Sequence, residues 1–413
     1  MEQLKIDFFS YFRQELVLKL YIYINDKSTS MTVTQILTKL VSFPVLGGQS
    51  NLSIMNWIKE YIEEFGIATY LVPNAEGTKA SLHCRIGPSV DDGIILSGHM
   101  DVVPVEGQDW HTAPFVLTDG GDGKLYGRGS CDMKGFLACC LAALPEMTKA
   151  DLKTPIYFAF SYDEEIGCLA APELVEHIKT TYTERPKFAI IGEPSMMQPI
   201  VGQKGICVIE TIVNGSAGHS SRIRQEVSAI HESARLIIWL ENKMNALVEA
   251  GRIDERFTPP HSSLHVGQIN AGIAPNVIAD QSLFKWDVRV IPQDVTEDII
   301  AEFDQYCRER EAILRDTFPG FEIKNIEHHP PVPPLDTTAS DDIVALIKSV
   351  TPIQETGTVA YAAEAGQFSN GGFQSVICGP GSIAQAHRAN EYIEIKQLEM
   401  GVDMIKKLVE KLS

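Results

Sequence analysis

Five short segments each place a metal-binding or proton-transferring side chain close behind an apolar run or a glycine-rich turn. SGHMD (97–101) carries His99 and Asp101, and YGRGSCDMKG (126–135) carries Asp132. SYDEEIG (161–167) carries the adjacent Glu164 and Glu165, IIGEP (190–194) carries Glu193, and CGPGSIAQAHRANEYI (378–393) carries His387. Each has a plain structural reading. A lone histidine is more often packed or surface-borne than a ligand, an aspartate before a helix is a good N-cap, and paired glutamates commonly mark a solvated turn. Taken together, two imidazoles, three carboxylates and one spare glutamate form the inventory of a two-zinc hydrolase. Two neighbouring metals would share a bridging carboxylate and an activated water, and the spare glutamate would carry that water's proton to a leaving amine. Neighbours leaving a strand point in opposite directions. One glutamate of the pair can therefore bind metal while the other overhangs the reacting centre, and residue type alone leaves open which. A metal-bound imidazole also needs a carboxylate or carbonyl to fix its tautomer, a part open to Asp101.

Such groups have to be held at strand ends. GIILSGH, PIYFAFSYDEE and KFAIIGEP read as strands, each running into polar residues. TVTQILTKLVSF after Met31, residues 50–65 with Ser50 or Asn51 as cap, and KGFLACCLAALPEM (134–147) read as helices. This alternation predicts an α/β layer structure with a largely parallel sheet. Its polar groups would lie past the C-terminal strand ends, where open α/β sheets bind ligands. From about residue 205 the order changes to strand (GICVIETIVNG), helix (226–246), two strands (SSLHVGQINAG, SLFKWDVRVIP), helix (TEDIIAEFDQYCREREAIL) and strand (FEIKNIEHH). That is the βαββαβ order of a ferredoxin-like unit. PPVPPL (330–335) reads as a linker into a last α/β piece. The expected organisation is a domain made of 31–203 and 332–413, an insertion at 204–331, and an N-terminal extension, 1–30, with no assigned role.

The 413-residue length exceeds what one simple core sustains. The net charge of −19 opposes nucleic acid and anionic membrane surfaces, so neither is an expected partner. LVLKLYIYI near the N-terminus is interrupted by Lys19 and is too short for a span. It lacks a basic stretch before it and a cleavage site after it. Eight cysteines without a CxxC pair read as reduced, mostly buried thiols of a cytoplasmic protein.

The order SGHMDVVP, GRGSCDMKG, DEEIG, IIGEPS, GHSS and GPGSIAQAH resembles that of the M20 family of dinuclear zinc amidohydrolases over roughly residues 31–413. The resemblance implies a zinc-peptidase-like catalytic domain with an inserted ferredoxin-like domain that makes a homodimer contact. It implies two Zn2+, replaceable by Co2+, with His99 and Glu193 on one ion, Glu165 and His387 on the other, and Asp132 bridging. Glu164 is then the general base and Asp101 the residue that orients His99. His219 in GSAGHSS is implied to reach the partner subunit's active site and help hold the oxyanion. Asn276 (APNVIA) and Arg289 (WDVRVIP) are implied to touch substrate, arginine being suited to a carboxylate. Glu364 in YAAEAGQF, which precedes the strand leading to CGPG and His387, is expected to line the same pocket, to favour a substrate ammonium and to repel the extra carboxylate of a succinyl group. The expected reaction is metal-dependent hydrolysis of the amide of an N-acyl amino acid, first N2-acetyl-L-ornithine, giving L-ornithine and acetate on a route to arginine. Succinyl-diaminopimelate and dipeptides are the alternative substrates. A non-catalytic metal-dependent binder is the alternative of another class, and it has no use for an unliganded Glu164. Two departures stand out: VLGGQS (45–50) in place of a serine-rich turn, and GEPS in place of GEPT.

Overall fold

The computed structural model describes residues 31–338 and 341–413; the extension 1–30 lies outside them. The continuous apolar runs become the centre of a nine-stranded sheet. Across it the order is Thr69–Pro73, Ala80–Ile86, Ile156–Ser161, Ile94–His99, Phe188–Pro194, Gln374–Gly379, Ile200–Gln203 and Leu335–Asp336. Gly357–Val359 pairs in parallel with Ile200–Gln203. The four strands from Ile156–Ser161 to Gln374–Gly379 run parallel, and, apart from the Gly357–Val359 pairing, the outer pairs are antiparallel. Alternate residues face two cores. Ile94, Leu96, Phe158, Phe160 and Ile190 pack with helices Val33–Val41, Lys134–Met147 and Ile395–Leu412. Ile95, Tyr157, Ala159, Ile191 and Ile377 pack with helices Ala171–Thr181 and Ala365–Asn370. A sheet covered on both faces needs apolar residues at every position, which is why its strands show no alternation.

Helix Val33–Val41 is opened by a capping box in which Thr32 and Gln35 satisfy each other's backbone N–H. Asn51 occupies the cap position of helix Leu52–Glu63, but its side chain makes no cap bond. Its Nδ2 donates to the Ala80 carbonyl at 2.8 Å and its Oδ1 accepts from the Ala80 N–H at 2.9 Å, so it fastens the helix start to a strand.

Between Gln203 and Val332 the chain builds a second, four-stranded antiparallel sheet, in the order Ser263–Ala271, Gln281–Val290, Gly205–Asn214, Glu322–Glu327. Helices Ala229–Glu249 and Thr296–Leu314 complete a βαββαβ order. Here burial does alternate: Cys207, Ile209 and Val213 point inward to meet Phe284, Trp286 and Val288. The first of these helices begins at Ala229 rather than at 226, because the Ser228 hydroxyl caps it by accepting from the His231 N–H. The proline-rich stretch is no free tether. Ile206 and Val332 exchange backbone hydrogen bonds of 3.0 and 2.8 Å, so the two crossings between the sheets are tied to each other. All eight cysteines are buried and unpaired. Among the described residues, no helix is long and apolar enough to cross a membrane.

Candidate metal centre

Parallel neighbours end on the same edge of a sheet, so the polar residues that follow them meet. His99 closes its strand and is 1% exposed. Its Nδ1–H donates to the Asp101 carbonyl at 2.9 Å, which leaves Nε2 as the free ring nitrogen. That nitrogen lies 3.2 Å from Asp132 Oδ1, 3.6 Å from Glu193 Oε1 and 3.9 Å from Glu164 Oε2. His387 Nε2 lies 2.9 Å from Glu165 Oε2 and 3.4 Å from Asp132 Oδ2. Asp132 therefore turns one oxygen towards each imidazole. It precedes helix Lys134–Met147 but does not cap it; Met133 holds the cap position.

The charges fit divalent cations. Ligand atoms of His99, Glu164 and Glu193 lie within 4.8 Å of one another, and so do those of His99, Asp132 and Glu165. Among the described residues, no lysine or arginine forms an ion pair with these carboxylates. Burial and the neighbouring acids push Glu164 and Glu193 well above the carboxylate range and Glu165 to about 7. Burial alone would lower His99, but the surrounding carboxylates overcome it and raise the imidazole. Hydrogen bonds to the carboxylates of Asp132 and Glu165 lift His387 to about 10. A buried acid cluster that draws protons in this way is short of positive charge, and imidazole and carboxylate donors are those zinc accepts.

Asp101 acts through two groups. Its carbonyl fixes the His99 tautomer, while its carboxylate, 3.6 Å from His99 Nδ1, accepts from the backbone N–H of Glu164 and of Glu165 at 3.2 Å each. Asp163, with φ of +56°, pairs with Lys79 and accepts from the Gly48 N–H at 2.8 Å. The unusual VLGGQS loop is thereby attached to the glutamate turn.

A cavity of about 540 Å3 opens beside these groups, lined by Glu164, Glu165, Tyr361 and His387 together with Arg289 and His329. Of the residues expected to meet substrate, Arg289 lines this cavity and donates to the Ala360 carbonyl at 3.4 Å. Glu364 is not part of the lining. It sits just ahead of helix Ala365–Asn370, 1% exposed, and its Oε1 has no partner. Burial pushes its carboxyl up to about 7, against the Ser161 hydrogen bond and the His99 charge. His219 and Asn276 lie elsewhere. Gly218–His219 pairs with Val277–Ile278, the Ser220 N–H donates to the Asn276 carbonyl at 3.0 Å, and both residues are exposed and outside the cavity lining. Arg128 and Glu391 lie inside the motif segments without an assigned part, yet both are 1% exposed and pair at 2.8 Å. Their only signal in the sequence is charge within glycine-rich or apolar surroundings.

The family description Peptidase family M20/M25/M40 matches residues 95–411. The chain is similar to the acetylornithine deacetylase of Aliivibrio salmonicida (strain LFI1238), with 30% identity over 363 residues, 88% of this chain and 92% of that one. The acetylornithine deacetylase of Proteus mirabilis (strain HI4320) is 31% identical over 367 residues, 88% of this chain and 90% of the other. That of Klebsiella pneumoniae (strain 342) is 32% identical over 365 residues, 87% and 91% of the two chains. Among solved structures, an M20 family metallo-carboxypeptidase from Sulfolobus solfataricus aligns with a TM-score of 0.73 at 18% identity, covering 92% of this chain and 98% of the other. A tripeptidase from Staphylococcus aureus gives 0.70 at 18% identity, with 92% and 97% covered. At that identity these two likenesses speak for the fold.

Proposed function

Because the chain belongs to the Peptidase family M20/M25/M40 and is a metal-dependent hydrolase, we propose that it removes the acetyl group of N2-acetyl-L-ornithine, giving L-ornithine and acetate on a route to arginine, as a cytoplasmic homodimer. The observation that carries this reading is Asp132, set between His99 and His387 with one oxygen towards each. His99 and Glu193 would hold one zinc ion, Glu165 and His387 the other, and Asp132 both, with cobalt able to substitute. Ions bound there would polarise the amide carbonyl and lower the pKa of a water to ~7. Glu164 is the base: its Oε2 takes a proton from the attacking water and delivers it to the amine nitrogen as the C–N bond breaks, so that the carboxylate is restored.

Arg289, on the cavity wall, is suited to the substrate carboxylate through two parallel N–H donors. Glu364, buried with an unpartnered oxygen, supports recognition of the side-chain ammonium. The exposed His219 and Asn276 lie outside their own cavity, which supports service to the partner's, and the exposed outer strand Ser263–Ala271 offers an edge for pairing. The shared name of relatives at 30–32% identity favours acetylornithine over a dipeptide. The test is deacylation by the purified protein, with zinc or cobalt added, of N2-acetylornithine, succinyl-diaminopimelate and simple dipeptides. Acetylornithine should give the highest kcat/KM. A clear preference for another substrate replaces the proposed one, and no hydrolysis of any would sink the catalytic reading.

A further inference from the structure

We infer that Glu391 is a positioning residue which, through Arg128 and Gln108, sets the Asp132 loop and the His387 loop in register before metal arrives; this rests on the dinuclear reading above. Glu391 Oε1 accepts from the backbone N–H groups of Cys131 at 2.9 Å and Asp132 at 3.0 Å. Its Oε2 accepts from the Gly129 N–H at 2.9 Å and from Arg128 Nη1 at 2.8 Å. Four donors thus converge on a carboxylate that is 1% exposed, and one of them is the main chain of Asp132 itself. A carboxylate so surrounded fixes where the loop can lie.

The second half of the device runs to His387. Arg128 Nη1 also donates to the Arg388 carbonyl at 3.3 Å, and Nη2 donates to Gln108 Oε1 at 2.5 Å. Gln108 Nε2 in turn donates to the His387 carbonyl at 3.0 Å. The next turn of the loop is laced in the same way: Asn390 Oδ1 accepts from the His111 N–H at 2.8 Å and Nδ2 donates to the Asp109 carbonyl at 3.2 Å. Trp110 covers the Arg128 guanidinium, 5.1 Å from the ring centre. This lacing answers a need. His387 and Asn390 are left-handed, with φ of +62° and +58°, a conformation that a non-glycine residue keeps only where its surroundings enforce it. The His387 side chain is 55% exposed, so packing does not hold it; the Gln108 hydrogen bond to its carbonyl and the ring's contacts with Glu165 and Asp132 do.

Titration of metal-free protein with Co2+, followed by calorimetry and by the visible absorption of the bound ions, reads the two sites separately. Wild type should bind two ions; fewer would remove the dinuclear reading and not the part given to Glu391. Glu391→Gln keeps the shape but places an NH2 where an acceptor is required. Since Asp132 serves both ions, both should weaken roughly 10- to 100-fold, the range for residues that support a ligand. Gln108→Ala releases the His387 carbonyl, together with one donor each of Arg128 and Trp110, but leaves the Glu391 bonds to the Asp132 loop in place; it should weaken one ion about tenfold while sparing the other. Thermal unfolding of the metal-free variants separates these losses from loss of fold. Wild-type affinity at both sites in Glu391→Gln overturns the inference. Should Glu391→Gln not fold, Gln108→Ala decides: selective loss of one ion upholds the inference, and unchanged or equal binding overturns it.

Discussion

Asp101 supports both partners of the proposed chemistry with different atoms, its carbonyl on His99 and its carboxylate on the N–H groups of Glu164 and Glu165. The two glutamates therefore start from one anchor, and only their side chains diverge: Glu165 to His387 at 2.9 Å, Glu164 to 3.9 Å from His99. Glu164→Gln should keep two metal ions by elemental analysis and lose ~10²–10⁴-fold in turnover, the usual cost of a missing general base. Glu165→Gln should lose metal first, and the reverse pattern would exchange the two assignments. Glu364 is buried and not part of the cavity lining, with one oxygen unpartnered. If it reads the ammonium, Glu364→Gln should lower kcat/KM for acetylornithine roughly ten- to a hundredfold more than for acetylmethionine, the worth of a charged hydrogen bond. An equal loss for both substrates would make it a general support of the site.

At the level of elements, two glycines let strand Phe188–Pro194 approach its neighbours closely, helix Lys134–Met147 at Gly192 and strand Gln374–Gly379 at Gly379. A Cβ on Gly192 would lie 2.0 Å from the Phe136 ring, and one on Gly379 would lie 1.9 Å from the Gly192 carbonyl oxygen. The second obstacle is backbone and cannot swing aside. Gly379→Ala must part strand Gln374–Gly379 from Phe188–Pro194, and with them the His387 loop from Glu193. It should destabilise the metal-free protein by ~1–3 kcal/mol, the usual cost of overpacking, and lower metal content as well. Thermal unfolding and elemental analysis check both effects, and a fully loaded variant would show that the strands yield without disturbing the centre. The strand ends were legible in the sequence because buried parallel strands are unbroken apolar runs, and His99, Glu164, Glu165 and Glu193 lie at or just past their ends. Glu391 was not, because three of its donors are main-chain N–H groups about 260 residues away, and a backbone donor leaves no mark on residue type. For the same reason the side chain of Asn51 read as a helix cap when its partner is the backbone of Ala80.

Across the whole molecule, the cavity is lined by Ile206, Val208 and Arg289 of the four-stranded sheet and by the loops that carry Glu164, Glu165 and His387, while His219 and Asn276 are not part of its lining. On the homodimer reading each site borrows from the other chain. Mixing inactive Glu164→Gln and His219→Ala subunits should then restore activity that neither homodimer has, since one site in each mixed dimer combines an intact Glu164 with an intact His219. Silence in a verified mixed dimer would place His219 outside catalysis. The order of strands also has a consequence for how the chain comes to be made. The four-stranded sheet draws only on residues 205–327, and it can close as soon as that stretch has left the ribosome. The nine-stranded sheet cannot, because Gln374–Gly379 lies in its middle, between strands synthesised some 180 residues earlier. Until that strand emerges, Phe188–Pro194 keeps an open, apolar edge, the kind of surface that invites wrong partners. The insertion is thus ready first, and the half-built sheet that carries most of the chemistry is what the nascent chain must keep from aggregating.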